Sequence, residues 1–459
     1  MSRETSNVDI IYGADDRPPL LESIPLGLQH ILAMILPNIA PPLIIAGAVG
    51  LATGQTTFLI QMALIFAGLA TIVQAIPIGP VGARLPIVMG TSFAFVGGII
   101  GVATQYSLAA AFGACIVAAV VEIFIGWKFE WFESYFTPLV NGLIVVIIGL
   151  YLIPVGMDYL AGGVEASNYG APVNLAIGGL VFVVAIGLNQ LFSGYLRILS
   201  LLIGIAVGYV TAAILGLVDF SPVASAGWFA YPVPLKFGIE FKPVPILILG
   251  VLYITTSMET IGHISAITAV EDREPEESEL KGGLIADGVM SGLAGVFGAF
   301  PNTSFAQNVG VVTFTGIMSR IVVAIGGAIL VLFGFVPKVG ALFATMPNPV
   351  LGGATLVMFG MVLSNGFKIL NDNVTLNQRN MVIIAASIGV GLGVATRPDA
   401  LQQLPKQAQT FFGEAVVMTA LISLILDNVV PKDTSHVQQD TADESTPQDI
   451  TPASSPDHE

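Results

Sequence analysis

Long stretches of this chain carry no Asp, Glu, Lys or Arg. LVNGLIVVIIGLYLI (139–153) and IVVAIGGAILVLFGFV (321–336) are two of them. A helix of roughly 20 apolar residues crosses a bilayer. Runs that do not alternate in polarity cannot form the strands of a membrane barrel. Across all 459 residues, 54% are hydrophobic and 10% charged, and the mean hydropathy is +0.84. Soluble chains carry about 25% charged residues. The expected class is therefore an all-α polytopic membrane protein.

By that yardstick the chain holds about fourteen apolar segments: 25–49, 57–78, 86–103, 107–127, 135–155, 171–192, 197–217, 243–265, 282–299, 302–317, 319–337, 348–369, 379–396 and 411–430. With the N-terminus inside, the cytoplasmic loops hold Arg3, Arg17, Arg84, Lys128, Arg197, Arg273, Lys281, Arg320, Lys368, Arg379 and Lys432. The outer loops hold Lys236, Lys242, Lys338, Arg397 and Lys406. Eleven cations against five place both termini in the cytoplasm of a multi-pass cell-membrane protein. No secretory leader is expected of the polar start. The single cysteine, Cys115, excludes an internal disulfide and reads as a buried structural thiol. Residues 433–459 hold seven acids and no Lys or Arg, so 432–459 is expected to be a disordered acidic cytoplasmic tail. With a net charge of −15 and no basic patch, no nucleic-acid partner is expected.

Two short matches recur at one spacing. Thr-Ser-Phe-Ala stands at 91–94 and again at 303–306, 212 positions on. TPLVNGLIVVIIG (137–149) aligns with NPVLGGATLVMFG (348–360) at Pro138/Pro349, Gly142/Gly353 and Gly149/Gly360, an offset of 211. The shared spacing predicts duplication of a unit of about seven helices. An odd number of helices turns the second copy over, which gives a 7+7 inverted repeat. Helix breakers flank both Thr-Ser-Phe-Ala stretches: Pro86, Gly90, Gly97 and Gly98 around the first, Pro301 and Gly310 around the second. Each copy should hold a short extended segment and then a half-helix. Unpaired backbone is costly in hydrocarbon, so the two extended segments should pair with each other. The half-helix N-termini would then point inward, with Phe93 or Phe305 offering a flat face for stacking.

Ionisable groups stranded in apolar runs are functional candidates. Glu259 and His263, at i and i+4, share a helix face and suit proton exchange, although a structural hydrogen bond between helices would also use them. Asp287 and the Gln29-His30 pair are further candidates, and His30 serves a packing network as readily as a proton site. Glu122 reads as snorkelling or structurally bonded.

The stretch QNVGVVTFTG, from Gln307, resembles the signature of the nucleobase–ascorbate transporter family at Gln307, Asn308, Gly310, Thr315 and Gly316. Gln29-His30, Glu259-X-X-Gly262-His263 and Ala286-Asp287-Gly288 also resemble family marks, and the likeness runs from about Leu21 to Pro431. The resemblance implies two inverted sevens with short antiparallel strands in segments three and ten. It implies a core domain (22–130 and 243–337) moving against a gate domain (131–242 and 338–431), after a cytoplasmic segment 1–21. It implies a homodimer, no cofactor, and driving by a proton gradient, with sodium in some members.

By the same resemblance, substrate would be held by Glu259, Gln307, Ser92, Phe93, Ala94, Ala306 and Asn308. Protons would be carried by His263, Glu259, Asp287 and His30. Gln at the first motif position favours an oxidised purine, xanthine or urate; an amide matches an edge of alternating C=O and N–H. Glu-X-X-Gly-His also resembles uracil carriers, so uracil stays open, as do guanine and hypoxanthine. An anion carrier or channel of the same plan is a further alternative, opposed by a carboxylate at the site. An enzyme is not expected, because no P-loop, nucleophile–base pair or metal-ligand cluster is present.

Overall fold

The computed structural model describes residues 10–164 and 166–431. The acidic tail 432–459, the first nine residues, and the cations Arg3 and Lys432 lie outside the described residues. The principal helices of the first half are α1 (Leu20–Ala48), α2 (Thr53–Ala75), α3 (Ala94–Gln105), α4 (Leu108–Trp127), α5 (Pro138–Leu160), α6 (Pro172–Leu191) and α7 (Ser200–Ile214). Those of the second half are α8 (Pro243–Thr268), α9 (Glu277–Val296), α10 (Ala306–Thr315), α11 (Arg320–Gly334), α12 (Asn348–Asn373), α13 (Gln378–Thr396) and α14 (Ala415–Val429). Strand β1 (Met89–Thr91) precedes α3, and strand β2 (Asn302–Ser304) precedes α10. Each apolar segment of the sequence contains one of these helices, and the two halves repeat the same order of elements.

Among the described residues, eight helices are long and apolar enough to cross a membrane alone; α11 and α14 need the helices bent 80° and 69° from them, Pro337–Ala344 and Lys406–Phe412, and α3, α7, α9 and α10 fall short of the criterion. The shortfall at α3 and α10 has a direct cause. Both are half-helices of 12 and 10 residues, each continued by its strand instead of by more helix.

The strands pair antiparallel, Met89 with Ser304, Gly90 with Thr303 and Thr91 with Asn302. The backbone exchange extends one step beyond: Ser92 N donates to Pro301 O at 2.9 Å and Phe305 N to Val88 O at 3.1 Å. Side chains from neighbouring helices also hold the strands. Asn38 Oδ1 of α1 accepts from Thr91 N (2.8 Å) and Thr91 Oγ1 (3.0 Å). Thr71 Oγ1 accepts from Met89 N (2.9 Å), and Ser291 Oγ from Asn302 N (2.9 Å). Extended backbone is tolerated at membrane depth only when satisfied in this way.

Packing divides the helices into two groups. α1, α2 and α4 mesh with α8, α9 and α11 around the strand pair, while α5 lies along α12, with α6, α7, α13 and α14 beside them. In lipid there is little hydrophobic drive between helices, so close approach of small residues does the work. A side chain at Gly68 would run into Gly327 O, and one at Gly27 would meet Val322 O at 2.7 Å. Outside the spans, Arg273 is bracketed by Glu271 and Glu279. The Lys281 ammonium holds the Glu130 carboxyl below the usual carboxylate range.

The repeat-related glycines Gly149 and Gly360 differ in surroundings. A Cβ at Gly149 would meet Leu363 N at 2.7 Å, whereas at Gly360 it would meet nothing within 4 Å. Gly149→Ala should therefore destabilise by about 1–3 kcal/mol through overpacking. Gly360→Ala should gain up to about 1 kcal/mol of helix propensity. Thermal melting of the two detergent-purified variants checks the opposite signs.

Candidate functional site

A cleft of about 1130 Å³ lies between the two packing groups. Glu259 and His263 enter it from α8, Ala306, Gln307 and Gly310 from α10, Asn141 from α5, and Met358 and Asn365 from α12. Arg197 and Lys368 also line it. The helical spacing of Glu259 and His263 brings both to one wall, as their i, i+4 relation requires. Gln307 sits in the first turn of α10, where β2 ends and backbone N–H groups are free of intrahelical partners.

Among the described residues, neither the Glu259 carboxylate nor the Gln307 amide makes a hydrogen bond to another protein group. Thr303 Oγ1, beside the carboxylate, is also buried without a partner. The site thus offers carboxylate acceptors and a donor–acceptor amide within one cleft, whose lining also includes the apolar Met258, Val311 and Met358.

His263 Nδ1 lies 2.8 Å from Ser304 Oγ, the serine of the second Thr-Ser-Phe-Ala. Ser304 Oγ reaches Thr260 Oγ1 at 3.5 Å, and Thr260 Oγ1 donates to Asp287 Oδ2 at 2.6 Å. Asp287 is fully buried and stands behind the cleft, joined to it by these two hydroxyls and His263.

Other candidates from the sequence stand elsewhere. Asn308 is 1% exposed and does not line the cleft. Its Oδ1 lies 2.8 Å from His30 Nδ1, and its Nδ2 donates to Pro86 O at 2.5 Å. His30 and Asn308 thus form a buried clamp that ties α1 and α10 to the chain entering β1. The substrate role expected of Asn308 and the proton role expected of His30 find no cleft surface here, because each side chain is committed to the other.

Ser92, Phe93 and Ala94 are also outside the cleft lining. Ser92 Oγ accepts from Ala94 N (3.2 Å), and Phe93 packs edge-on against Phe359 of α12, ring centroids 5.6 Å apart. Phe305 is buried on Gly90, which has no Cβ to obstruct it. Snorkelling of Glu122 is corrected: the residue is fully buried and accepts from Ser257 Oγ (3.3 Å) and Thr256 Oγ1 (3.5 Å). Cys115 is buried and free, as the sequence implied. Sequence reasoning missed Asn141. A lone amide in the apolar α5, it faces Gly262 across the cleft, with Oδ1 buried and unpartnered. Its one signal is an Asn beside the repeat-marking Gly142.

Two inverted sevens, paired broken segments and a midway cleft holding unpaired polar groups define a secondary transporter. Residues 21–400 match the model of the Permease family that takes in xanthine and uric acid permeases, and the chain belongs to this family. It is 38% identical over 407 residues to uric acid permease PucK of Bacillus subtilis, covering 88% of this chain and 95% of that one. It is 36% identical over 445 residues to xanthine permease XanP of Escherichia coli, covering 93% and 96%. The solved transmembrane domain of a cyanobacterium bicarbonate transporter, BicA, has a TM-score of 0.60 at 15% identity, covering 90% of this chain and 98% of that one. That likeness concerns the fold alone. The chain is a multi-pass membrane transporter.

The clamp and the cleft amide separate by stability. Asn308→Ala leaves His30 Nδ1 and Pro86 O buried without partners, a cost of about 1–3 kcal/mol for each group. Gln307→Ala removes no protein bond and should change stability by less than about 0.5 kcal/mol. Melting temperatures of the two variants, without ligand, check the contrast.

Proposed function

We propose that the chain imports an oxidised purine, xanthine or urate, by proton symport across the cell membrane. The observation that carries this reading is that Glu259 and Gln307 reach one cleft with their hydrogen-bonding groups free. A carboxylate accepts from ring N–H groups. An amide that both donates and accepts complements an edge where C=O and N–H alternate. The apolar part of the cleft lining, Met358 included, suits a flat ring. The names of XanP and PucK support the same substrate class.

Residues 22–130 with 243–337 act as the core and 131–242 with 338–431 as the gate, the cleft lying on their seam. The cleft lining includes Arg197 and Lys368, both assigned to the cytoplasm by the charge rule, so in this reading the cleft opens inward. Transport then requires the core to move so that the cleft meets the other face. His263, Ser304 and Thr260 link the cleft to Asp287 by hydroxyl and imidazole groups that both donate and accept. This chain of groups is the reading's proton path. Both termini are cytoplasmic and the working unit is a homodimer in this reading. A carrier of small inorganic anions is disfavoured, since such an anion has no N–H groups to donate to Glu259 and would meet only its like charge.

Uptake of radiolabelled xanthine into proteoliposomes tests the reading. Glu259→Gln puts an NH₂ where acceptors are needed and removes charge-assisted bonds worth about 1.5–3 kcal/mol each, so uptake should fall at least about tenfold. Gln307→Glu should move competition from xanthine toward uracil. Wild-type protein that prefers uracil over both purines would replace the substrate; accumulation that follows only a sodium gradient would replace the coupling ion.

A further inference from the structure

Glu122 is a fully buried acid that the transport reading leaves unused. It sits on α4 with no exposed surface, and its Oε2 has no partner. Its Oε1 faces Thr256 and Ser257 at 3.5 and 3.3 Å. Both hydroxyls also point at backbone carbonyls of their own helix, Ser257 Oγ lying 2.8 Å from Tyr253 O and Thr256 Oγ1 3.2 Å from it. A hydroxyl has one proton. If Ser257 and Thr256 give theirs to those carbonyls, the carboxylate oxygens of Glu122 face lone pairs, and a protonated Glu122 restores the hydrogen bond by donating.

Asp287 is the second member of the arrangement. Thr256, which meets Glu122, and Thr260, which meets Asp287, are i and i+4 on α8 and so lie one turn apart on the same face. α4 and α9 touch at this level: a Cβ on Gly288 would meet Ile123 N at 2.9 Å and Ala119 O at 3.0 Å. Glu122 precedes Ile123 on α4 and Asp287 precedes Gly288 on α9, so the two acids stand at the level of this contact. Asp287 Oδ1, like Glu122 Oε2, is buried and unpartnered.

The other titratable groups of α8 on this side are Tyr253, Glu259 and, two hydroxyls away from Asp287, His263; no Lys or Arg is among them. α3, which also packs on α4, carries no titratable side chain. Among the described residues, every Lys–carboxylate or Arg–carboxylate pair lies elsewhere. Two neighbouring buried carboxyls without a cation cannot both be charged.

We propose that Glu122 and Asp287 together hold the transported proton, which reaches them from the cleft through His263, Ser304 and Thr260. Glu122 is a positioning residue that keeps Asp287 able to give and take this proton. This inference rests on the proton-symport reading above. Protons balance at each step: the one entering at His263 Nδ1 passes through Ser304 and Thr260, each hydroxyl accepting one proton and releasing another. The carboxyl pair goes from one proton to two, and back on release.

The test uses full-length protein in proteoliposomes holding a lumenal pH dye, with radiolabelled xanthine and an imposed gradient of one pH unit. For a one-proton symporter this gradient sets a ceiling of about tenfold accumulation. Glu122→Gln should bring accumulation down to about onefold and abolish xanthine-induced proton entry, while xanthine counterflow, which needs no net proton movement, falls less than about threefold. Glu122→Asp should restore accumulation with a displaced pH profile, a rescue that a packing role would not produce. It is also the working variant if Glu122→Gln does not fold. Glu122→Gln that accumulates xanthine with the wild-type pH profile overturns the proposal, as does Glu122→Asp with an unmoved profile. Asp287→Asn separates the two readings. If Asp287→Asn loses accumulation and Glu122→Gln keeps it, only the role of Glu122 falls; if both keep it, the proton reading falls as well.

Discussion

The structure depends on one exchange of backbone hydrogen bonds. Two helices are broken at membrane depth, and each break exposes N–H and C=O groups that hydrocarbon cannot satisfy. The breaks tolerate each other because β1 and β2 lie antiparallel, Gly90 opposite Thr303, with further bonds from Ser92 and Phe305. The inverted repeat makes this possible, since two copies of opposite orientation present antiparallel segments at one depth. The pairing in turn sets the positions of the site residues. α10 starts where β2 stops, so Gln307 is fixed at the cleft. Ser304 in β2 is fixed beside His263. Asn302 is fixed on Ser291 of α9, one turn from Asp287.

Much of this is legible in the chain. Charge-free runs establish the class, and a doubled Thr-Ser-Phe-Ala with a doubled Pro-Gly pattern points to the repeat and the meeting of its broken segments. Glu259, His263 and Gln307 stand out as polar groups in apolar surroundings, and all three line the cleft. Direction is what the one-dimensional pattern lacks. Gln307 and Asn308 are adjacent, yet a helix turns successive side chains by about 100°. One therefore faces the cleft, and the other faces His30 and Pro86. Phe93 and Phe305 suggest stacking surfaces, because aromatic rings beside a polar break suit a flat ligand. The rings are instead packing elements, one against Phe359 and one seated on Gly90. Asn141 escapes notice because an amide carries less weight than a charge in an apolar run.

The clamp made by His30, Asn308 and Pro86 O shows why a motif residue need not touch substrate. The carbonyl of Pro86 lies where the chain turns into β1, and α1 carries four prolines, Pro25, Pro37, Pro41 and Pro42, each removing an N–H donor from its own helix. A broken region short of donors needs amides supplied from elsewhere. Asn308 provides one to Pro86, and Asn38 gives an acceptor to Thr91. The two asparagines thus brace the strand pair from opposite ends. The cost of losing either would be felt in the position of Gln307 and Ser304, and through them in the cleft.

The polar groups of the core also divide by their freedom. Several that brace the strands are engaged: Asn308 makes two contacts, and Thr71 and Ser291 each take a strand N–H, although His30 Nε2 and the Asn302 amide stay unpaired. Those that line or back the cleft are not. Glu259 and Gln307 lack protein partners, and Asp287, Glu122, Thr303 and Asn141 each keep one atom unpaired. A buried polar atom without a partner is costly in a fixed structure. One line of such atoms runs from α5 across the cleft to α9 and α4, where partners would arrive and leave during the work, while His30, Asn302, Ser387 and Glu414 hold others elsewhere. A flat polar ligand would fill the near end of that line and a proton the far end, so the same hydroxyls that join His263 to Asp287 would let occupancy of one end be felt at the other.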